Sequence, residues 1–353
     1  MSRIAAKVLM DSKKIPLKFK GSLYGALLGD CTGAPYEGDK LQEGDKTTLK
    51  RYFDKLEGPM FKSPKKSYTD DTAQTKCVLK CLITNKGIEQ KFLATEFVKE
   101  YFTDPNRGYG RGTVAVLTKL RQTKAVDPLR PAQESFGGNG SHGNGAAMRI
   151  TPVALFCYNK SEKLKDMVVQ CSLVTHANAL SVNGAILQAL AVQYCVNREP
   201  EEFKNDDLLD YLTEEIKQLE EAVDEFGLKS EKVYGKKLDD IRTLLKKENP
   251  SIDDLMNKLG NSPAAVNSVP TALYCFLRAH GQPFKGIDSS NPMRRTLEYA
   301  ITLGGDTDTI ASMAGSICGA LYGEEVISEN ILAHCEGFEE IKSMAGELYN
   351  ASQ

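Results

Sequence analysis

The sequence predicts an all-α protein. Three observations carry that expectation: apolar residues recur at three-to-four spacing in segment after segment, alternating strand patterns bounded by turns are scarce, and no β-α-β repeat occurs. With 41% hydrophobic and 26% charged residues in a chain of 353, the composition is globular and excludes wholesale disorder. A formal net charge of −2 excludes a large basic footprint for non-specific DNA or RNA binding, though not a local basic pocket for an anion. No apolar run approaches ~18 residues, so no membrane-spanning helix is expected.

The elements follow in chain order. Residues 1–20 hold six Lys or Arg and one acid, Asp11, without a secretory apolar core. They read as a basic N-terminal tail before a single domain, 21–353; a mitochondrial presequence is the alternative. Residues 22–34 open the first helix, and 72–85, 89–102 and 112–123 continue the helical period, as do Val182–Val192. Gly21, Gly25, Gly29 and Gly33 recur every four residues, as do Ala311, Gly315, Gly319 and Gly323, each making a bare stripe on one helix face. Each interior glycine costs ~1 kcal/mol against alanine, so close backbone packing must compensate. Residues 198–258 are dense in Glu, Lys and Asp with Leu and Ile at helical spacing, and are expected as peripheral helices without chemistry. Pro263 and Pro270 punctuate the return to apolar sequence. The nine cysteines form no CxxC pair, and most lie among Val, Leu, Ile and Ala; free thiols in a reducing compartment are expected.

Two acidic clusters precede helices: Ser67-Tyr68-Thr69-Asp70-Asp71-Thr72 and Gly304-Gly305-Asp306-Thr307-Asp308-Thr309. Capping explains either one alone, because Asp and Thr satisfy orphan N–H groups and complement the helix dipole. Two clusters with four carboxylates exceed what two caps require. Hard divalent cations want about six oxygen ligands, so a two-metal site across apposed helix starts is the alternative. Glu37 follows Pro35 at the end of the first helix; it is either a surface residue or a ligand and general acid/base.

Residues 136–145 contain five glycines in ten, around Phe136, Gly140, Ser141, His142, Gly143 and Asn144. Bare N–H groups before a helix can cradle a diphosphate. It is not a Walker A loop, since Asn144 stands where Lys is required. Residues 108–112 form a weaker candidate loop. His176, one of four histidines, lies between two helical stretches and is either structural or site-facing.

Together these motifs resemble the ADP-ribosylhydrolase family, which is related to the dinitrogenase-reductase-activating glycohydrolases, and within it the serine-specific type. Gly29-Asp30 through Glu37, Tyr68–Thr72, the 136–149 loop, Val174–Ala177 and Gly304–Thr309 carry the resemblance in family order. It implies a compact orthogonal helical bundle with a dinuclear metal site at helix N-termini. By it, Thr69, Asp70, Asp71, Asp306, Asp308 and Thr309 hold two Mg²⁺ ions, with Mn²⁺ as a substitute. Glu37 is then a movable ligand and the general acid/base. Phe136 meets the adenosine end, the Gly140–Gly145 amides hold the diphosphate, and His176 lines the distal ribose. The pattern departs at His142, which stands where an adenine-stacking tyrosine is implied. The implied substrates are serine-ADP-ribosylated proteins, poly(ADP-ribose) and O-acetyl-ADP-ribose, handled by a monomer in nucleus and cytoplasm, with the mitochondrial matrix left open.

An arginine-specific hydrolase and a non-catalytic ADP-ribose binder or crystallin-like protein are the rivals. The complete Asp, Thr and Glu set weighs against the second. Terpene-type chemistry is disfavoured because Asp70-Asp71 is followed by Thr72-Ala73-Gln74 and the chain has no Trp; a macrodomain is disfavoured by the missing α/β alternation.

Overall fold

The computed structural model describes residues 14–39, 43–58, 64–221, 232–280 and 286–353. In these, helices follow one another without a strand. α1 (Ile15–Gly33) runs into a 3-10 turn (Ala34–Tyr36), then α2 (Glu43–Glu57), α3 (Asp70–Asn85), α4 (Gln90–Thr103) and α5 (Arg111–Gln122). Short turns α6 (Arg130–Gln133), α7 (Ser135–Gly138), α8 (Gly145–Met148) and α9 (Thr151–Phe156) lead to α10 (Ser161–Leu173) and α11 (Ala179–Val196). The charged α12 (Asn205–Glu221), α13 (Tyr234–Leu245) and α14 (Ile252–Lys258) follow. The chain then returns through α15 (Ala265–Ala279), α16 (Pro292–Thr302), α17 (Thr307–Tyr322), α18 (Glu329–Ala333) and α19 (Phe338–Ser352). The all-α expectation is met, and two isolated bridges, Lys66 with Cys335 and Gly143 with Ala264, are the extended pairings among the described residues.

The two glycine stripes meet each other. A Cβ built at Gly21 would lie 2.2 Å from the Gly323 carbonyl carbon, one at Gly25 2.2 Å from the Gly315 oxygen, and one at Gly29 2.3 Å from the Ala311 oxygen. The rising numbers on one helix against falling numbers on the other make α1 and α17 antiparallel. No side chain fits between their backbones, and the dense contact compensates the glycines' entropy. The consequence is positional: the C-terminal end of α1 lands on the N-terminal end of α17, where a Cβ at Gly33 would stand 2.6 Å from the Asp308 Cα.

Three expectations change. The domain begins before residue 21: Ile15–Lys20 are already helical, and Phe19 and the stem of Lys18 are buried against the core, which is what orders them. Residues 1–13 of the expected tail lie outside the described residues. Pro270 does not punctuate; it sits inside α15, whose surrounding Ser268–Leu277 are all buried, so packing outweighs the lost N–H. α11 is long and apolar enough by length and composition to cross a membrane, contrary to the expected absence of such a run. It is 83% buried inside the protein, and a helix enclosed on all sides needs no polar face. The charged helices still turn apolar residues inward: Leu208, Leu209, Leu212 and Ile216 on α12, Leu238, Ile241 and Leu244 on α13, and Leu255 on α14. All nine cysteines are buried.

Candidate active site

Thr69 caps α3, its Oγ1 accepting from the Asp71 N–H at 3.3 Å. Asp30, fully buried near the end of α1, does the remaining capping: it accepts from the Thr69 N–H at 2.9 Å, the Thr72 N–H at 3.1 Å and the Thr72 hydroxyl at 2.6 Å. Asp70 and Asp71 therefore stand in the first turn with their carboxylates released from capping. At α17, Asp306 occupies the cap position without a side-chain cap bond. Capping thus accounts for Thr69 and, through the Thr309 N–H at 2.8 Å, for one oxygen of Asp308, but not for the Asp70, Asp71 and Asp306 carboxylates.

The tertiary structure brings the clusters together. The Thr309 hydroxyl donates to Asp71 Oδ2, and the Thr307 hydroxyl donates to the Gly33 carbonyl at 2.9 Å. The Glu37 loop pairs with the loop before α17, Gly38 N–H to Gly305 oxygen at 2.8 Å and Gly305 N–H to Asp39 oxygen at 3.3 Å. Gly305 has φ +73°, and a Cβ there would lie 2.3 Å from the Asn261 carbonyl oxygen, so only glycine serves. Glu37, Asp306 and Asp308 consequently offer carboxylate oxygens all within 4.8 Å of one another, two buried and Glu37 exposed at the rim.

Asp30, Asp70, Asp71, Asp306 and Asp308 are enclosed, and no ion pair reaches any of them among the described residues. Burial, then mutual repulsion, pushes the Asp70 and Asp71 carboxyls well above the usual range. Burial and Asp308 do the same to Asp306, and Asp308 itself is pushed up to about 6 by burial and then Asp30. Glu37 is raised by partial burial, then by Asp308. Asp71 Oδ1 is buried with no hydrogen-bond partner. An unpaired buried ion costs several kcal/mol. Oxygen donors clustered without cations, one of them orphaned, fit hard divalent ions.

The glycine loop lies alongside. Phe136, at φ +52°, is exposed, its ring edge against Gly112, 6.4 Å centroid to centroid from the exposed His142 ring. The 108–112 loop therefore belongs to the site's wall, and Arg107 just before it accepts the Asp70 N–H through its carbonyl at 2.7 Å. Within the loop, the amides of Gly140, Gly143 and Asn144 donate to the Ser135 oxygen, Ser141 Oγ and the Pro263 oxygen. The expected cradle narrows, because among these residues the Ser141, His142 and Gly145 N–H groups are the ones with no acceptor among the described residues. Asn144 is buried and turned away from the expected ligand position: its Nδ2 donates to Asp306 and Ser268. His176 also sits deeper than a pocket wall. It is buried beneath Gly143 and Gly145, and burial, then the charge of Arg149, lowers it to about 3, so it is neutral.

Sequence reasoning gave no role to Asp30, Gln74 or Arg149. Asp30 and Arg149 each had one signal, a charged residue set in apolar sequence, whereas Gln74, between Ala73 and Thr75, had none.

A family model described as ADP-ribosylglycohydrolase matches residues 12–353. Two relatives named ADP-ribosylhydrolase ARH3, from Homo sapiens and Bos taurus, are each 39% identical over 95% of this chain and 94% and 93% of their own lengths. An uncharacterized Escherichia coli protein, YegU, is 26% identical over 91% of this chain and 92% of its own. A solved structure titled as an ADP-ribosylglycohydrolase-related protein complex superposes with a TM-score of 0.67 at 20% identity, covering 97% of this chain and all of that one, which is a likeness of fold.

Proposed function

The chain belongs to the ADP-ribosylglycohydrolase family, and from that premise we propose that it hydrolyses the O-glycosidic bond joining ADP-ribose to serine on modified proteins. The same chemistry would cut poly(ADP-ribose) and O-acetyl-ADP-ribose. The observation that carries the reading is the set of four buried carboxylates, Asp30, Asp71, Asp306 and Asp308, with the half-buried Asp70 beside them, none with a cationic partner among the described residues and all opening toward the exposed Glu37. The serine linkage rests on Glu37 and its flanking Gly33-Ala34-Pro35-Tyr36.

Thr69, Asp70, Asp71, Asp306, Asp308 and Thr309 would hold Mg²⁺, with Mn²⁺ as a substitute. When bound, such ions supply Lewis acidity and orient sugar hydroxyls and water. Glu37 carries the proton. Its raised carboxyl can hold one to deliver to the leaving oxygen and can then take one from the attacking water, as glycosidic cleavage through an oxocarbenium-like state requires. Its pairing to the Gly305 loop keeps that carboxylate beside Asp308. The Ser141 and His142 amides bind a diphosphate oxygen, and the Phe136 ring gives adenine a face to lie on. Asn144 fixes the Asp306 carboxylate.

Release of ADP-ribose from a serine-ADP-ribosylated peptide tests the reading, in Mg²⁺ against EDTA, with an arginine-linked peptide beside it. Mg²⁺-dependent release from serine alone is expected. Release from arginine overturns the linkage; binding of ADP-ribose without release from either overturns the enzyme.

A further inference from the structure

Arg149 is the bulkiest fully buried side chain among the described residues, placed after Ala146, Ala147 and Met148 and before Ile150. Its Nη1 donates to Gln74 Oε1 at 2.5 Å, and its Nη2 donates to Thr175 Oγ1 at 2.7 Å and to the Cys171 carbonyl at 3.1 Å. The guanidinium lies over the Phe97 ring, 4.5 Å from its centroid. Arginine has donors only. Gln74 must therefore turn its oxygen to Arg149, which turns its amide nitrogen to Asp70, Nε2 to Oδ2 at 2.8 Å.

On the other side, the Thr175 hydroxyl accepts from Arg149 and lies 2.7 Å from His176 Nδ1. No other acceptor reaches that buried hydroxyl among the described residues, so its proton goes to Nδ1. The proton of the neutral imidazole is then on Nε2. That nitrogen faces the glycine loop: a Cβ at Gly145 would stand 3.0 Å from it and one at Gly143 3.6 Å.

We infer that Arg149 is a positioning residue for both ends of the site, presenting the Gln74 amide to Asp70 and fixing His176, through Thr175, as the tautomer whose Nε2–H faces the glycine loop. One buried cation thereby registers the acidic cluster against the ligand loop. The inference rests on the proposed site and is independent of which linkage is cut.

The test uses the full chain labelled with ¹⁵N-histidine, which has four histidines to resolve, together with Mn²⁺ titrations followed by electron paramagnetic resonance. Wild-type His176 shows a bare Nδ1 and a protonated Nε2. Gln74→Leu weakens Mn²⁺ at least about tenfold, the usual loss for a group that holds a metal ligand, and leaves the His176 signals in place. Thr175→Val moves the His176 tautomer and leaves Mn²⁺ affinity at the wild-type value. Arg149→Met moves both; if it fails to fold by circular dichroism, the two single variants decide. A protonated Nδ1 in the wild type, or a Gln74→Leu variant binding Mn²⁺ as tightly as wild type, overturns the inference. Neither readout needs substrate, so absent serine hydrolysis with both readouts as expected would sink the proposed function and spare this one.

Discussion

The Thr309 hydroxyl donates to Asp71 Oδ2 across 3.0 Å, joining residues 238 positions apart in the chain. That bond ties the first turn of α3 to the first turn of α17 and turns two separate acidic clusters into one. The arrangement stores repulsion that a bound cation would relieve.

Asp308→Asn keeps the shape and removes one repelling charge. The metal-free variant should be more stable than wild type by about 1 kcal/mol, since replacing uncompensated buried charge is stabilising. Mg²⁺ should raise its melting temperature less than that of wild type, and hydrolysis should fall by on the order of 10³. Melts with and without Mg²⁺, beside an ADP-ribose release assay, check this. Retained activity with unchanged Mg²⁺ dependence would show that Asp308 holds no metal.

The same pair of proteins gives a pH dependence. Asp308 titrates near 6 when folded and near 3.8 when unfolded. Between those values the native state binds the extra proton, so its contribution to stability is present below about 4 and lost as pH rises through about 6. The loss is at most about 3 kcal/mol. Urea unfolding of the metal-free proteins should therefore show wild type losing stability relative to Asp308→Asn between pH 4 and 7, and saturating Mg²⁺ should reverse the trend. A difference that does not change with pH contradicts the assignment.

Glu37→Gln should lower kcat by about 10²–10⁴, the usual range for a general acid/base, and spare ADP-ribose affinity measured calorimetrically in Mg²⁺. Equal losses in affinity and turnover would make Glu37 a binding group only.

Gly29→Ala forces a methyl into the Ala311 carbonyl, where backbone cannot yield as a side chain does. A loss of about 1–3 kcal/mol in urea unfolding is expected, as for overpacking. Mn²⁺ affinity should fall with it, because separating α1 from α17 separates Asp30 from Asp308. A variant destabilised but binding Mn²⁺ normally would show that the stripe only supports the fold.

Phe136→Ala should raise KM for the peptide substrate about tenfold with little change in kcat, from a lost stacking contact of about 1–3 kcal/mol. His142→Tyr should lower KM by enlarging the ring beside Phe136. A KM indifferent to both substitutions would remove adenine from this end of the loop.

The helical period was readable because most helices bury one face locally: α3, α4 and α5 fall where it predicts them, α11 spans the predicted segment, and α1 starts seven residues before its predicted start at 22. Its failures have the same cause. Pro270 and α11 break local rules inside a packed core, where burial in the assembled protein outweighs backbone preference. The glycine stripes announced close packing but not their partner, since spacing along one helix carries no address for another.

By itself the sequence determined the all-α class, the two acidic clusters, Glu37 and the glycine loop, because residue type and spacing alone set helix starts, oxygen-donor chemistry and bare backbone. Only the tertiary structure decided that the clusters face each other, that Asp30 and Thr69 cap so that Asp70 and Asp71 need not, that the Asn144 side chain turns inward to Asp306, and that His176 is buried beneath the loop. Those are contacts between residues far apart in the chain, and their energies depend on burial and direction, which no local pattern records.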